Sequence, residues 1–368
     1  MHVDPIKRTT FCRHLCLATE AVQACVDSSC AHAASNHWKL WLTICGKLQI
    51  YPYLQENVAG FNGIPFLQVF AMRYRLGDIA PRGNAVRART VEDALRSIAQ
   101  EMAAVGSPDP RMNTFGKIDF RLTSLWRAWK QEDPPPHRVK PIPLKVLRRL
   151  TELALTSGEV PLLAVVDMII VAFFFLLRPG EYTGTSSNTT SFTLKDTHLF
   201  VGRDRIAPAL YADPLFDLAD FATLEFTTQK NGVRGEVIGL GCTGDYFSPV
   251  KALQRRIRHL LENNATPDTL LASYFQAKWF RITPAQITTA LRSAVATFDP
   301  NALGFNPTDV SARSLRAAGA MALLCAHVDT DIIRLVGRWR SDEMLCYLHV
   351  QAPEPVMCDC SKLQAHAG

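Results

Sequence analysis

Residues 132–143 read Glu-Asp-Pro-Pro-Pro-His-Arg-Val-Lys-Pro-Ile-Pro. Three consecutive prolines fix φ and remove backbone donors, so the segment favours extended polyproline structure and cannot continue a helix. It splits a chain of 368 residues, long enough for about two domains, into two parts. The expected layout is a loosely ordered leader over residues 1–35, a small all-helical domain over 36–132 and a semi-rigid linker over 133–143. A second domain over 144–352 and a tail over 353–368 complete it.

Before the linker the apolar residues fall at helical spacing. Trp38, Trp41 and Leu42 repeat at i, i+3, i+4, residues 66–74 do the same, and further helices are expected over 90–102 and 118–129. Arg73, Arg75, Arg82, Arg87 and Arg89 crowd one loop and the next helix start. Such a cluster is either a solvated surface or a phosphate-contacting face to which a helix N-terminus adds its dipole. Arg138 and Lys140 extend the basic character into the linker.

After the linker, residues 144–155 form an amphipathic pattern, and 162–177 form a nearly continuous apolar run broken by Asp167. That run is shorter than the roughly 20 residues a membrane span needs, and it ends at Arg178, so it is expected as a buried helix and no membrane is implied. Two pairs of β-rich runs follow, 198–201 with 206–210, and 223–229 with 233–240. The second pair is separated by Lys230-Asn231-Gly232, a strong hairpin signal. Helical patterns return over 250–261 and 284–296. The expected fold class is mainly α with a small antiparallel β-sheet.

The C-terminal stretch 308–351 concentrates the chemistry. Ser311 or Thr308 is expected to cap a helix rich in small residues that carries Arg316. Thr330 should cap a short helix ended by Gly337, and Ser341 a third helix that carries Tyr347. Upstream, Arg178 emerges from an apolar helix with Glu181 three residues on. A buried arginine needs partners, so a structural Arg–Glu pair is one reading of these two residues. Lys230 read alone is an exposed turn lysine, Arg316 a surface arginine and Tyr347 a core aromatic. In this order they point to something more specific.

Together they resemble the tyrosine recombinase, or phage-integrase-like, family, and most of all its eukaryotic crypton-type branch. The residues that carry the resemblance are Leu-Leu-Arg178-Pro-Gly-Glu181-Tyr, Lys230, Arg313-Ser-Leu-Arg316, Gly337-Arg-Trp339 and Tyr347. The resemblance spans about residues 36–352. It implies a helical, SAM-like core-binding domain and an α+β catalytic domain. It further implies a double-stranded DNA partner, a homotetramer when synapsed on DNA, no metal and no cofactor. Strand cutting would proceed by attack of Tyr347, leaving a 3′-phosphotyrosine link that conserves the bond energy. Arg178 and Arg316 would hold the non-bridging oxygens, Lys230 would protonate the departing 5′-oxygen, and Trp339 would pack or donate a hydrogen bond at the phosphate. Glu181 would orient Arg178 or help cap the local turn. The branch also implies a nuclear location.

The sequence departs from the family pattern twice. Arg313 stands where a histidine is usual; an arginine stays charged and cannot act as a base near neutral pH, but it can still bind phosphate at the site. Arg338 directly follows Gly337, with Trp339 one residue later; Trp339 suits the role better, because an indole both packs and donates. Two rival readings follow: a DNA-binding descendant without catalysis, and a type IB topoisomerase-like enzyme. The net charge of +6 accords with a nucleic-acid partner without demanding one. The ten cysteines contain no CxxC pair and no zinc-like spacing with histidine, and reduced thiols are the simplest expectation.

Overall fold

The computed structural model describes residues 5–24, 28–54, 62–135, 139–184, 191–207, 214–227 and 235–339. The chain divides into two compact units, Met1–Pro136 and His137–Gly368, and the division lies within the proline-rich segment.

Among the described residues of the first unit the elements are helices, α1 (Pro5–Ala24), α2 (Ser28–Leu48), α3 (Ile64–Leu76), α4 (Ala88–Ala104) and α5 (Phe120–Glu132), with one isolated antiparallel bridge, Met112 to Ile118. Residues 5–24, expected as a loose leader, are therefore a helix, and α2 begins ahead of residue 36. The sequence concealed α1 because it has no apolar stripe: Phe11, Leu15 and Leu17 all stay exposed. Trp41, Leu67, Phe70, Leu95, Ile98, Met102 and Leu122 form the core. Gly77 ends α3 in the left-handed region, where a side chain would run into the backbone of Asn84 and Ala85. Helix α4 has no side-chain cap of its own at Arg87. Instead the Asp133 carboxylate accepts from the Ala88 N–H at 2.8 Å, placing a negative charge at the positive end of the helix.

The second unit is built around α7 (Val160–Phe174), whose residues 164–174 are all buried. It packs against α6 (Leu144–Ser157), the later helices α9 (Pro249–Glu262), α10 (Pro284–Ala296) and α12 (Ser314–Cys325), and strand β5 (Ser273–Gln276). A four-stranded antiparallel sheet has the order β2-β1-β3-β4, from β1 (Thr197–Val201), β2 (Asp204–Arg205), β3 (Phe221–Phe226) and β4 (Glu236–Gly241). β2 lies at Asp204–Arg205 because the turn at Gly202 sets Asp204 opposite Val201; of the strand expected over 206–210, residues 208–210 lie outside the described residues. Phe226 pairs with Glu236, so the β3–β4 connection is 227–235. A hairpin of β5 and β6 (Lys278–Arg281) was not anticipated; its strands are four residues each, and Ala277 at its turn is no turn signal. The other described α-helices are short: the one-turn α8 (Pro179–Tyr182) and α11 (Pro300–Leu303), and the seven-residue α13 (Thr330–Val336). Among the described residues no helix is long and apolar enough to cross a membrane.

Helix α12 lies very close to α7, since a Cβ on Gly319 would overlap the Phe173 carbonyl and the Leu176 side chain. Two capping expectations are corrected. Helix α12 starts at Ser314, and Ser311 closes the turn before it by accepting from Ser314 N–H at 2.8 Å. Helix α13 is capped by Asp329, not Thr330, through the Asp331 N–H at 2.7 Å; a carboxylate one residue earlier is placed to reach the free N–H groups.

Candidate active site at the end of α7

The site begins where α7 stops. The Phe175 N–H bonds to Val171 O and the Leu177 N–H bonds back to Ala172 O, both at 3.0 Å, with Leu176 between them at φ 50. Glycine is the usual residue in this left-handed position, and a leucine there costs on the order of 1 kcal/mol or more. Leu176 is held by burial against Ala320, Ile333 and Trp339. Its carbonyl is thereby turned out of the helix ladder and accepts from two arginines, Arg316 Nη1 at 2.8 Å and Arg338 Nη2 at 3.3 Å.

Pro179 opens α8 and holds Arg178 in extended backbone. Glu181, at the third position of that turn, reaches back to accept the Arg178 N–H at 2.7 Å and Arg178 Nη1 at 3.1 Å. Its Oε2 also accepts from Arg338 Nη2 at 3.0 Å. Glu181 is buried, while the Arg178 side chain keeps 29% of its surface open. A buried carboxylate between two guanidinium groups is the arrangement that burial of charge requires. Burial lowers the pKa of Arg338 from its ordinary value, and the Glu181 charge opposes that shift.

Arg316 is 3% exposed. Besides the Leu176 carbonyl it donates to Gly337 O, and its guanidinium carbon lies 4.2 Å from the centre of the Trp339 ring. The structure thus joins Arg178, Glu181, Arg316 and Trp339 in one network, with Arg338 and the Leu176 carbonyl as the links. Of the two residues after Gly337, Trp339 faces Arg316 and Arg338 faces Glu181. Arg313 sits exposed before α12, outside this network. Lys230, Tyr347 and Arg138 lie outside the described residues, as does the helix expected to follow Ser341.

The basic cluster of the first unit is divided. Arg82 and Arg87 are exposed and Arg73 is half-buried. Arg89 is exposed and 3.2 Å from Asp93. Arg75 turns inward, donating to Asp133 and to the Val86 carbonyl, each at 2.5 Å. The start of α4, which one of the two readings made an anion site, is thus already capped by the Asp133 carboxylate, itself held by Arg75. Lys140 belongs to the second unit, where its backbone N–H donates to the Asp309 carbonyl at 2.9 Å. The inward course of Arg338 had no signal in the sequence, because the spacing after Gly337 does not tell an inward arginine from an outward one.

No family model matches the sequence, and no curated protein matches it. Among solved structures the chain is similar to the Tn1549 transposon integrase in complex with circular intermediate DNA. The identity there is 13%, the alignment covers 86% of this chain and 96% of that one, and the TM-score is 0.46. It is similar to the same integrase with transposon right-end DNA at 13% identity, with 86% and 95% covered and a TM-score of 0.42. A crystal structure of XerA recombinase aligns at 12% identity over 86% and 94% of the two chains, with a TM-score of 0.35. At such identities and TM-scores, function is read from the side chains of the site.

Proposed function

We propose that this chain is a DNA breaking-and-rejoining enzyme of the tyrosine recombinase type, acting in DNA integration and recombination. The observation that carries the reading is the network that links the Arg178 and Arg316 motifs, far apart in sequence, through Glu181, Arg338 and the Leu176 carbonyl. Attack on a phosphodiester builds negative charge on the non-bridging oxygens, and donors fixed in advance stabilise that charge without reorganising. Arg178, partly open and oriented by Glu181, takes one oxygen; Arg316, braced by Trp339, takes the other. Tyr347 is the nucleophile and Lys230 the general acid on the leaving 5′-oxygen. The exposed arginines at 82 and 87 hold the duplex by its phosphates. A crypton-type mobile element, a nuclear site of action and a tetramer on two DNA sites belong to this reading.

Two observations favour a second reading, a DNA-binding descendant that no longer cuts. Arg316 Nη1 and Nη2 both donate to backbone carbonyls, and the histidine position holds the exposed Arg313.

Incubation with a randomised pool of nicked duplexes, followed by denaturing electrophoresis, separates the two. DNA that stays attached to the protein under denaturing conditions supports the enzyme. Binding without attachment, across a pool that covers all short target sequences, supports the descendant.

A further inference from the structure

We infer that Arg338 is a positioning residue that locks the two arginine motifs and the base of the β3–β4 hairpin into one geometry, and that it does not contact DNA. The inference rests on the strand-transfer reading above. Its side chain is 2% exposed and touches four parts of the fold. Nη1 donates to the Phe175 carbonyl at 3.2 Å and to Val336 O at 3.1 Å. Nη2 donates to the Leu176 carbonyl at 3.3 Å and to Glu181 at 3.0 Å. The guanidinium carbon stands 4.0 Å from the centre of the Phe226 ring, at the end of β3 and just before the connection that carries Lys230.

The backbone supports the same assignment. Arg338 has φ 55, a conformation that a glycine or asparagine adopts at less cost. An arginine is held there by the side-chain contacts this turn permits. A lysine could not replace it: an ammonium offers its donors at one point, whereas this site needs a planar fork that reaches carbonyls and a carboxylate while its face lies on a ring. For Arg338 to meet a phosphate it would have to leave Glu181, and a buried carboxylate that loses a partner is strongly destabilised. Held in place, it fixes Glu181 so that the other carboxylate oxygen aims Arg178, and it shares the Leu176 carbonyl with Arg316.

The test uses the full chain with Arg338→Met and Arg338→Lys, compared with Glu181→Gln. Three quantities are measured on a nicked duplex: equilibrium affinity with its salt dependence, the single-turnover rate of covalent attachment, and the fluorine NMR signal of Trp339 in 5-fluorotryptophan-labelled protein. Trp339→Phe assigns that signal. Arg338→Met is expected to bind DNA within about twofold of the parent with the same salt slope, since no phosphate contact is lost. Attachment should slow by ~100-fold, as for loss of preorganised donors, and the Trp339 signal should shift. Arg338→Lys should fall between, and it carries the test if the methionine variant does not fold. Arg338→Met with Glu181→Gln should be no slower than the slower single variant, because both cut one link. A weakened affinity with a salt slope lower by about one would make Arg338 a phosphate contact and overturn the inference. An unmoved Trp339 signal would also overturn it, whether or not the parent protein cuts DNA. Absence of attachment by the parent would count against the strand-transfer reading alone.

Discussion

The ring of Trp339 occupies the space that a Cβ on Gly337 would need. Gly337 has φ −76, which any residue adopts, so packing and not backbone conformation requires a glycine here. Gly337→Ala is expected to push the indole off the Arg316 guanidinium and cost ~1–3 kcal/mol, as overpacking does. Urea denaturation together with covalent attachment checks this: stability and rate should fall together. An alanine variant with unchanged midpoint and rate would contradict the stacking.

The arginines of the first unit should separate into two behaviours. Arg82→Ala and Arg87→Ala, at exposed positions, should each weaken DNA binding and lower the salt slope by about one, with little effect on stability. Arg75→Ala should do the reverse, because its loss strands the Asp133 carboxylate that caps α4. Salt titrations and thermal melts of the three variants decide it; equal slopes for all would remove the DNA-facing assignment.

His259 gives the second unit a pH dependence. Its Nε2 accepts the Phe275 N–H of β5 at 2.9 Å, near the turn of the β5–β6 hairpin, so the ring must be neutral at that nitrogen. Burial, then Arg256, lowers its pKa below the ordinary value of 6.5. The folded state thus binds fewer protons than the unfolded state below that pH, and stability rises with pH through this window. Melting temperature should fall between about pH 7 and pH 5, and His259→Gln should flatten the fall. His37 and His198, also lowered mainly by burial, leave a residual slope. A variant that keeps the full slope would contradict the role of His259.

Asp167, the one charge in the apolar run of α7, meets Arg255 with contacts of 2.9 and 2.5 Å. Burial raises its pKa and the Arg255 charge opposes this. Removing one partner of a buried pair typically costs ~3–5 kcal/mol. Arg255 retains 29% exposure and can turn to water, so Asp167→Ala should cost near the lower end. Asp167→Leu should recover part of the loss by packing. Chemical denaturation that finds leucine worse than alanine would show that the pair itself is needed.

What the sequence disclosed follows from how each feature is encoded. α6, α7, α9 and α10 were legible because an apolar stripe or an unbroken apolar run is written in side chains. α1 was not, since its leucines and Phe11 face outward without a stripe. The β5–β6 hairpin was not, since short strands containing Gln276, Lys278 and Arg281 carry no alternation signal. At the site, Arg178, Glu181, Arg316 and Trp339 stood out as local motifs. Their junction did not, because a backbone carbonyl at Leu176 has no residue identity to read and its left-handed turn occurs at a leucine. The Asp133 cap on α4 was hidden for a similar reason: the acceptor comes from the far end of α5.

On the strand-transfer reading, a tyrosine of this chain becomes joined to DNA. Among the described tyrosines, Tyr182 stands beside Glu181 yet is fully buried, with its hydroxyl on the Ala312 carbonyl at 2.7 Å, and burial raises its pKa well above the ordinary value. It is unsuited to attack. Mass spectrometry of the DNA-linked protein, digested with protease and nuclease, measures the linkage directly. A peptide bearing a 3′-phosphonucleotide on Tyr347, absent in Tyr347→Phe, is the expected result. Attachment at another residue, or firm DNA binding with no attached nucleotide, would contradict the account.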